Sequence, residues 1–271
     1  MLGLVMGILA SLILMGSTQA APSSKLWPKW NKSNSNSSIT INHQIWDSLL
    51  KKYLNSNHAS GIYRFNYKKF NTADKSKLNT YINTLENIVI TQADKKQQLS
   101  YWINLYNALT VKVILDHYPT KSILDIKISP GLLSFGPWDR KLIKIEGEEL
   151  SLNDIEHRIL RPIWNDNRIH YVLNCGSLGC PNLAEKAYTP SNTAQLLDSQ
   201  AKSFINHQRG VNFDKGKLVL SKIYKWYAKD FGNNEPNLLK HLEMYAQPEL
   251  AKQINTYKGS IKYDYDWNLN Q

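Results

Sequence analysis

The sequence predicts an α+β fold: one mixed domain whose helices pack on a central, largely antiparallel sheet. Three observations carry this expectation. Several stretches repeat apolar residues at helical spacing. Shorter stretches alternate apolar and polar residues and are separated by tight-turn dipeptides. The two kinds follow one another without a regular βαβ rhythm, which argues against a doubly wound sheet.

From the N-terminus, Met1 to Gly16 is almost wholly apolar, and small residues precede a possible cut after Ala20. This predicts a signal peptide over residues 1–20, and hence a periplasmic or secreted protein. The n-region lacks Lys and Arg, so an uncleaved anchor is the alternative. The apolar run is short for a spanning helix, so no stable membrane span is expected after cleavage. Residues 21–38, rich in Ser, Asn, Lys and Trp, read as a flexible linker from which Trp27 and Trp30 dock on the domain or on a partner. Residues 39–271 form the single folded domain.

Within it, Ile41, Ile45, Leu49, Leu50 and Leu54 mark a first helix. Tyr63, Phe65 and Tyr67 alternate in a short strand, and Leu78, Tyr81, Ile82 and Leu85 mark a second helix. A third, over 93–117, is apolar nearly all round and therefore buried, with Pro119 stopping it. It buries Asn104 and Asn107, and an unpaired buried amide costs about 1–3 kcal/mol, so both need partners. A loop over 129–138 leads to a hairpin over 142–150 that turns at Glu146-Gly147. Ser151 caps a short helix with Asp154 three residues on, ending before Pro162. Residues 168–175 read as a central strand, apolar on both faces and ending at Gly176. A helix over 193–207, a hairpin over 211–220, helices after Ser221 and over 237–245, and an alternating final strand from Ile261 to Trp267 complete the chain.

The 271 residues are 42% hydrophobic and 11% aromatic, a globular and not a disordered composition. The formal net charge of +11 is spread over scattered lysines. It reads as a solvated basic surface or as attraction to an anionic envelope polymer. No nucleic-acid motif, phosphate loop or dinucleotide fingerprint is present, and no cofactor is expected. His-x-x-x-His and Cys-x-x-Cys spacings are missing, so no metal site is expected either.

The two cysteines are Cys175 and Cys180. In an oxidising compartment a disulfide between them would add on the order of 2 kcal/mol. Cys175, at a strand end before a glycine, is also where a nucleophile is displayed. An ordinary thiol is only about 3% thiolate at pH 7, so a base is needed. His157 is the candidate general base, because strand alternation places His170 on the face opposite Cys175. Glu156 or Asn104 is the candidate orienting group, and Asn104 or Asn107 a candidate oxyanion donor. Asn107, His170 and Trp102 are the candidate substrate-binding residues. Each also has a structural reading: an inert thiol, a capping histidine, amides bracing loop backbone, a glutamate tied to Arg161, a core histidine.

Five motifs extend the reading. They are Tyr101-Trp102-Ile103-Asn104-Leu105-Tyr106-Asn107-Ala108; Asp154-Ile155-Glu156-His157 with Ile159-Leu160-Arg161-Pro162; Ile169-His170-Tyr171-Val172-Leu173-Asn174-Cys175-Gly176 with Cys180-Pro181; Ser221 to Tyr227 with Asp230-Phe231; and Tyr265-Asp266-Trp267-Asn268-Leu269-Asn270. In this order they resemble the family called domain of unknown function 547, over about Ile41 to Gln271. The resemblance implies a domain type of unestablished function, found in bacterial exported proteins and at the C-terminus of plant proteins. It also carries the expectation of a distant papain-like kinship. The expected function is a thiol-dependent hydrolase or acyl transferase acting on a peptide or amide bond of the cell envelope. The alternative is a non-catalytic envelope binding module with a Cys175–Cys180 disulfide.

Overall fold

A computed structural model describes residues 21–131 and 135–271. The expected signal peptide lies outside the described residues. Helices α1 (Gln44–Tyr53), α2 (Thr72–Glu86) and α3 (Lys95–Asp116) form the first half, with the short strands β1 (Leu54–Asn55) and β2 (Arg64–Phe65) between α1 and α2. The hairpin β3 (Ile143–Ile145) and β4 (Glu148–Leu150) follows, then a π-helix (Asp154–Leu160) running into α4 (Arg161–Trp164). The second half holds α5 (Thr193–Ile205), the hairpin β5 (Val211–Asp214) and β6 (Lys217–Ser221), α6 (Lys222–Trp226), α7 (Glu235–Tyr245), α8 (Pro248–Thr256) and β7 (Lys262–Asp264). The fold is therefore mixed α+β.

Helix α3 is the axis. Asp94 caps it by accepting from the backbone N–H of Lys96 and Gln97, and 17 of its 22 residues are buried. One apolar cluster wraps it with α1, α2 and the β3–β4 hairpin; a second gathers α5, α7 and the β5–β6 hairpin around Tyr171, Phe204 and Leu242. Trp102, expected to meet substrate, is 1% exposed and packs edge-on against Trp30 at 5.3 Å. It is a core residue. Among the described residues, no helix is long and apolar enough to cross a membrane.

Three expectations are corrected. Among the described residues no central sheet forms: β1–β2 and β3–β4 are separate antiparallel pairs, and β5–β6–β7 is a three-stranded sheet with β7 parallel to β6. With the central sheet goes the support for a papain-like kinship. The central strand over 168–175 is instead a 3₁₀ turn (Asn167–Tyr171) followed by a turn at Val172 and irregular backbone. Its apolar alternation reflects burial on all sides. The partner a neighbouring strand would supply is the side chain of Asn107, whose Nδ2 donates to Val172 O at 2.9 Å and whose Oδ1 accepts from Asn174 N at 2.8 Å.

The third correction concerns the linker, which is a docked strap. Pro162 has no N–H to give the Arg158 carbonyl four residues before it, and Arg161 N donates to Glu156 O, which leaves the His157 carbonyl without its α-helical donor. The strap supplies both: Trp27 N donates to Arg158 O at 3.0 Å and Lys25 N to His157 O at 2.9 Å. The helix therefore does not end before Pro162. It widens to a π-helix and passes through the proline into α4. The capping box at its start does form, with Asp154 N donating to Ser151 Oγ and Ser151 N to Asp154 Oδ2.

Candidate thiol site

Cys175 opens a tight loop, residues 175–180, braced on both sides. Gly176 has φ +76°, and a Cβ there would lie 2.3 Å from Ile114 Cδ1 of α3, so only glycine fits. The loop pairs with the C-terminal segment: Leu178 N donates to Asn268 O, Gly179 N to Asp266 O, and Asn270 N to Gly176 O. A Cβ on Gly179 would come within 2.9 Å of Asp266 N. Asn174 closes the base, accepting from Gly176 N and donating to Pro181 O.

Donors surround the Cys175 sulfur. The Tyr265 hydroxyl is 3.1 Å away and the Ser177 hydroxyl 3.2 Å. Cys180 Sγ accepts from Cys175 N at 2.8 Å, and its thiol faces the Cys175 sulfur. Both cysteines are free, Cys175 partly exposed and Cys180 buried. Burial alone would push the Cys175 thiol up. Hydrogen bonds from Cys180, Ser177 and Tyr265 outweigh it and bring the thiol down to about 7. Burial and the neighbouring Cys175 push Cys180 well above the ordinary thiol range. One sulfur is thus poised to ionise and the other to keep its proton.

The segment presenting this thiol has a recognisable relation: residues 90–205 match the family described as protein of unknown function, DUF547. Over these residues the chain is similar to DUF547. No curated protein and no solved structure gives a match. The matched segment spans α3, the π-helix and the cysteine loop. Tyr265 and Asp230, which complete the site, lie beyond it.

The other candidate residues form a second, buried network. His157 Nδ1 accepts from Arg161 Nη1 at 2.9 Å, and burial lowers the ring's pKa, so it is held neutral. Arg161 forks onto Asp230 through Nε at 2.6 Å and Nη2 at 3.0 Å, and also donates to Pro22 O of the strap. His170 Nε2 meets Asp230 Oδ2 at 2.7 Å, its Nδ1 lies 3.8 Å from Glu156 Oε1, and its ring stacks on Tyr227 at 3.9 Å. Tyr106 donates to Glu156 Oε2 at 3.3 Å.

The structure therefore does not pair His157 with Cys175; no imidazole among the described residues hydrogen-bonds that sulfur. Glu156 does not orient His157 but sits beside His170. The networks adjoin, since Tyr106 and Tyr227 feel the charge of both Glu156 and Cys175. Asn104 is also occupied: its Nδ2 donates to Tyr188 O at 2.8 Å and its Oδ1 accepts from Tyr188 N at 3.0 Å. It braces a loop, as Asn107 does, and neither amide is free for an oxyanion. No group of three or more His, Cys, Asp or Glu among the described residues is placed to hold a metal.

Two predictions arise here. Asn107→Ala leaves a buried carbonyl and a buried N–H unmet, costing roughly 2–4 kcal/mol of stability. Urea unfolding checks this. Asp230 carries the second: burial opposes its ionisation, but His170 and Arg161 override that and hold its carboxyl well below the usual carboxylate range. A depressed carboxyl contributes stability that is complete above the ordinary value of about 3.9 and is lost as pH falls below it. Asp230→Asn should lower stability at pH 7 and flatten its acid limb between about pH 4 and 2. Equal slopes for the two proteins would refute this.

The missed residues are Tyr265, Ser177, Arg161 and Asp230. All but Ser177 stand in the quoted motifs, but sequence spacing gives no sign that Tyr265 reaches back to Cys175 or that Asp230 joins Arg161 to His170.

Proposed function

We propose that the protein is a thiol-dependent hydrolase or acyl transferase of the cell envelope, acting on a peptide or amide bond with Cys175 as nucleophile. The observation that carries this reading is the ring of donors around the Cys175 sulfur. It makes a thiolate available at neutral pH without an adjoining imidazole. The sulfur attacks the carbonyl carbon and the C–N bond breaks. The departing amine takes the proton of the Tyr265 hydroxyl, which burial keeps protonated. Water then hydrolyses the thioester and returns a proton to that phenolate. His157, Glu156 and His170 support the wall behind the site and do not transfer protons to sulfur.

The contact between Cys180 and Cys175 favours a second reading, a binding module closed by a disulfide. Mass spectrometry separates the two. Incubation with p-nitrophenyl acetate should add one acetyl group to the wild-type chain and none to Cys175→Ala. Absence of the adduct, together with a Cys175–Cys180 disulfide in protein taken from its own compartment, would establish the binding module instead.

A further inference from the structure

Three of the arginines are matched with carboxylates: Arg158 with Asp154, Arg161 with Asp230, and Arg168 with Asp166 and Asp198. Arg64 and Arg209 are not, although both are only partly exposed. Arg209 donates to Leu178 O at 3.2 Å and to Asn182 Oδ1 at 2.6 Å, both neutral acceptors on or next to the cysteine loop. Arg64 makes no side-chain hydrogen bond among the described residues. The Nε atoms of both are shut off from solvent without a partner.

Both arginines border Asn182. Asn182 Oδ1, which accepts from Arg209, also accepts from the backbone N–H of Tyr63, next to Arg64, at 2.9 Å. Burial brings Arg209 down to about 10, and the charge of Arg64 pushes the same way against the pull of Cys180 and Tyr265. Two partly desolvated cations, one feeling the charge of the other and neither paired with a carboxylate, are unfavourable for an empty protein. A guanidinium fork is the shape that binds a carboxylate through two parallel hydrogen bonds.

We propose that Arg64 and Arg209 form a carboxylate-binding subsite beside the cysteine loop, taking the terminal or side-chain carboxylate of a peptide substrate. The assignment of that carboxylate to a substrate rests on the thiol reading above; the binding of an anion does not. Glu185 is the nearby carboxylate felt by Tyr63, but it is exposed and pairs with neither arginine.

Calorimetric titration of the whole chain with succinate, phosphate and the neutral succinamide tests the subsite. Succinate should bind saturably and succinamide should not, and Arg64→Gln should weaken succinate at least about tenfold, the loss of one charge-assisted pair. Arg64 makes no side-chain hydrogen bond, so its removal spares the loop; Arg209→Lys, keeping charge without the fork, is the second variant and should weaken binding too. Absence of saturable succinate binding, or equal binding by both variants, overturns the proposal and leaves Arg209 as a loop brace. Phosphate binding far more tightly than succinate overturns the carboxylate assignment. Alkylation then separates this proposal from the thiol reading. The rate ratio of iodoacetate to iodoacetamide at Cys175 should fall several-fold in Arg64→Gln. A Cys175 inert to both reagents in a chain that still binds succinate would sink the thiol reading alone.

Discussion

Cys175 should be alkylated by iodoacetamide with a midpoint near pH 7, and Cys175→Ser should lose that labelling completely. At pH 7 a thiol with a pKa of about 7 is half ionised, against about 3% for an ordinary one, roughly a fifteenfold gain in thiolate. Lower basicity makes that thiolate weaker, by about fivefold over one and a half units. The net expectation is a rate about threefold above a free thiol at pH 7, with the gain reversed at pH 9. Tyr265→Phe removes one donor. Raising the midpoint by about one unit would cut the thiolate at pH 7 from half to under a tenth; the more basic thiolate recovers part of that, for about a twofold loss of rate. A midpoint near 8.5 in the wild-type chain would mean that the donors around the sulfur do not govern its ionisation.

Trp30→Ala should destabilise the protein by about 3–5 kcal/mol, the range for truncating a fully buried tryptophan. Trp30 is 1% exposed, touches Trp102 of α3, and stands at the end of the strap whose N–H groups serve the carbonyls before Pro162. The control is Leu26→Ala in the same strap. Leu26 is 40% exposed, and its truncation should stay within about 0.5 kcal/mol. If residues 21–38 were a loose tether, both substitutions would be silent in urea unfolding.

These two expectations mark where the sequence was legible. The helices were, because α1, α2 and α3 carry their own periodicity and α3 its own cap. Both hairpins were, because Glu146-Gly147 and Lys215-Gly216 take the positive φ angles that tight turns require. The cysteine loop was legible as a place, since Gly176 must follow Cys175, but not as an environment. Its donors come from Ser177, two residues away, and from Tyr265, 90 residues away. The false strand at 168–175 has the same origin. Local alternation reports burial and says nothing of what fills the hydrogen bonds, and here one asparagine does the work of a neighbouring strand. The strap was misread because its composition is that of a linker; its docking serves the carbonyls before Pro162 and is held by Arg161, 139 residues after the Pro22 carbonyl that it binds.

That distance between Cys175 and Tyr265 has a meaning in time. A chain made at about 5–20 residues per second exposes Cys175 for several seconds before Tyr265 exists. During that interval the sulfur lacks one of its donors and the C-terminal segment that closes its loop, so it holds its proton more tightly. The thiol acquires its donors late, by the arrival of a remote stretch of chain, and the nascent polypeptide passes through synthesis with its sulfur comparatively quiet.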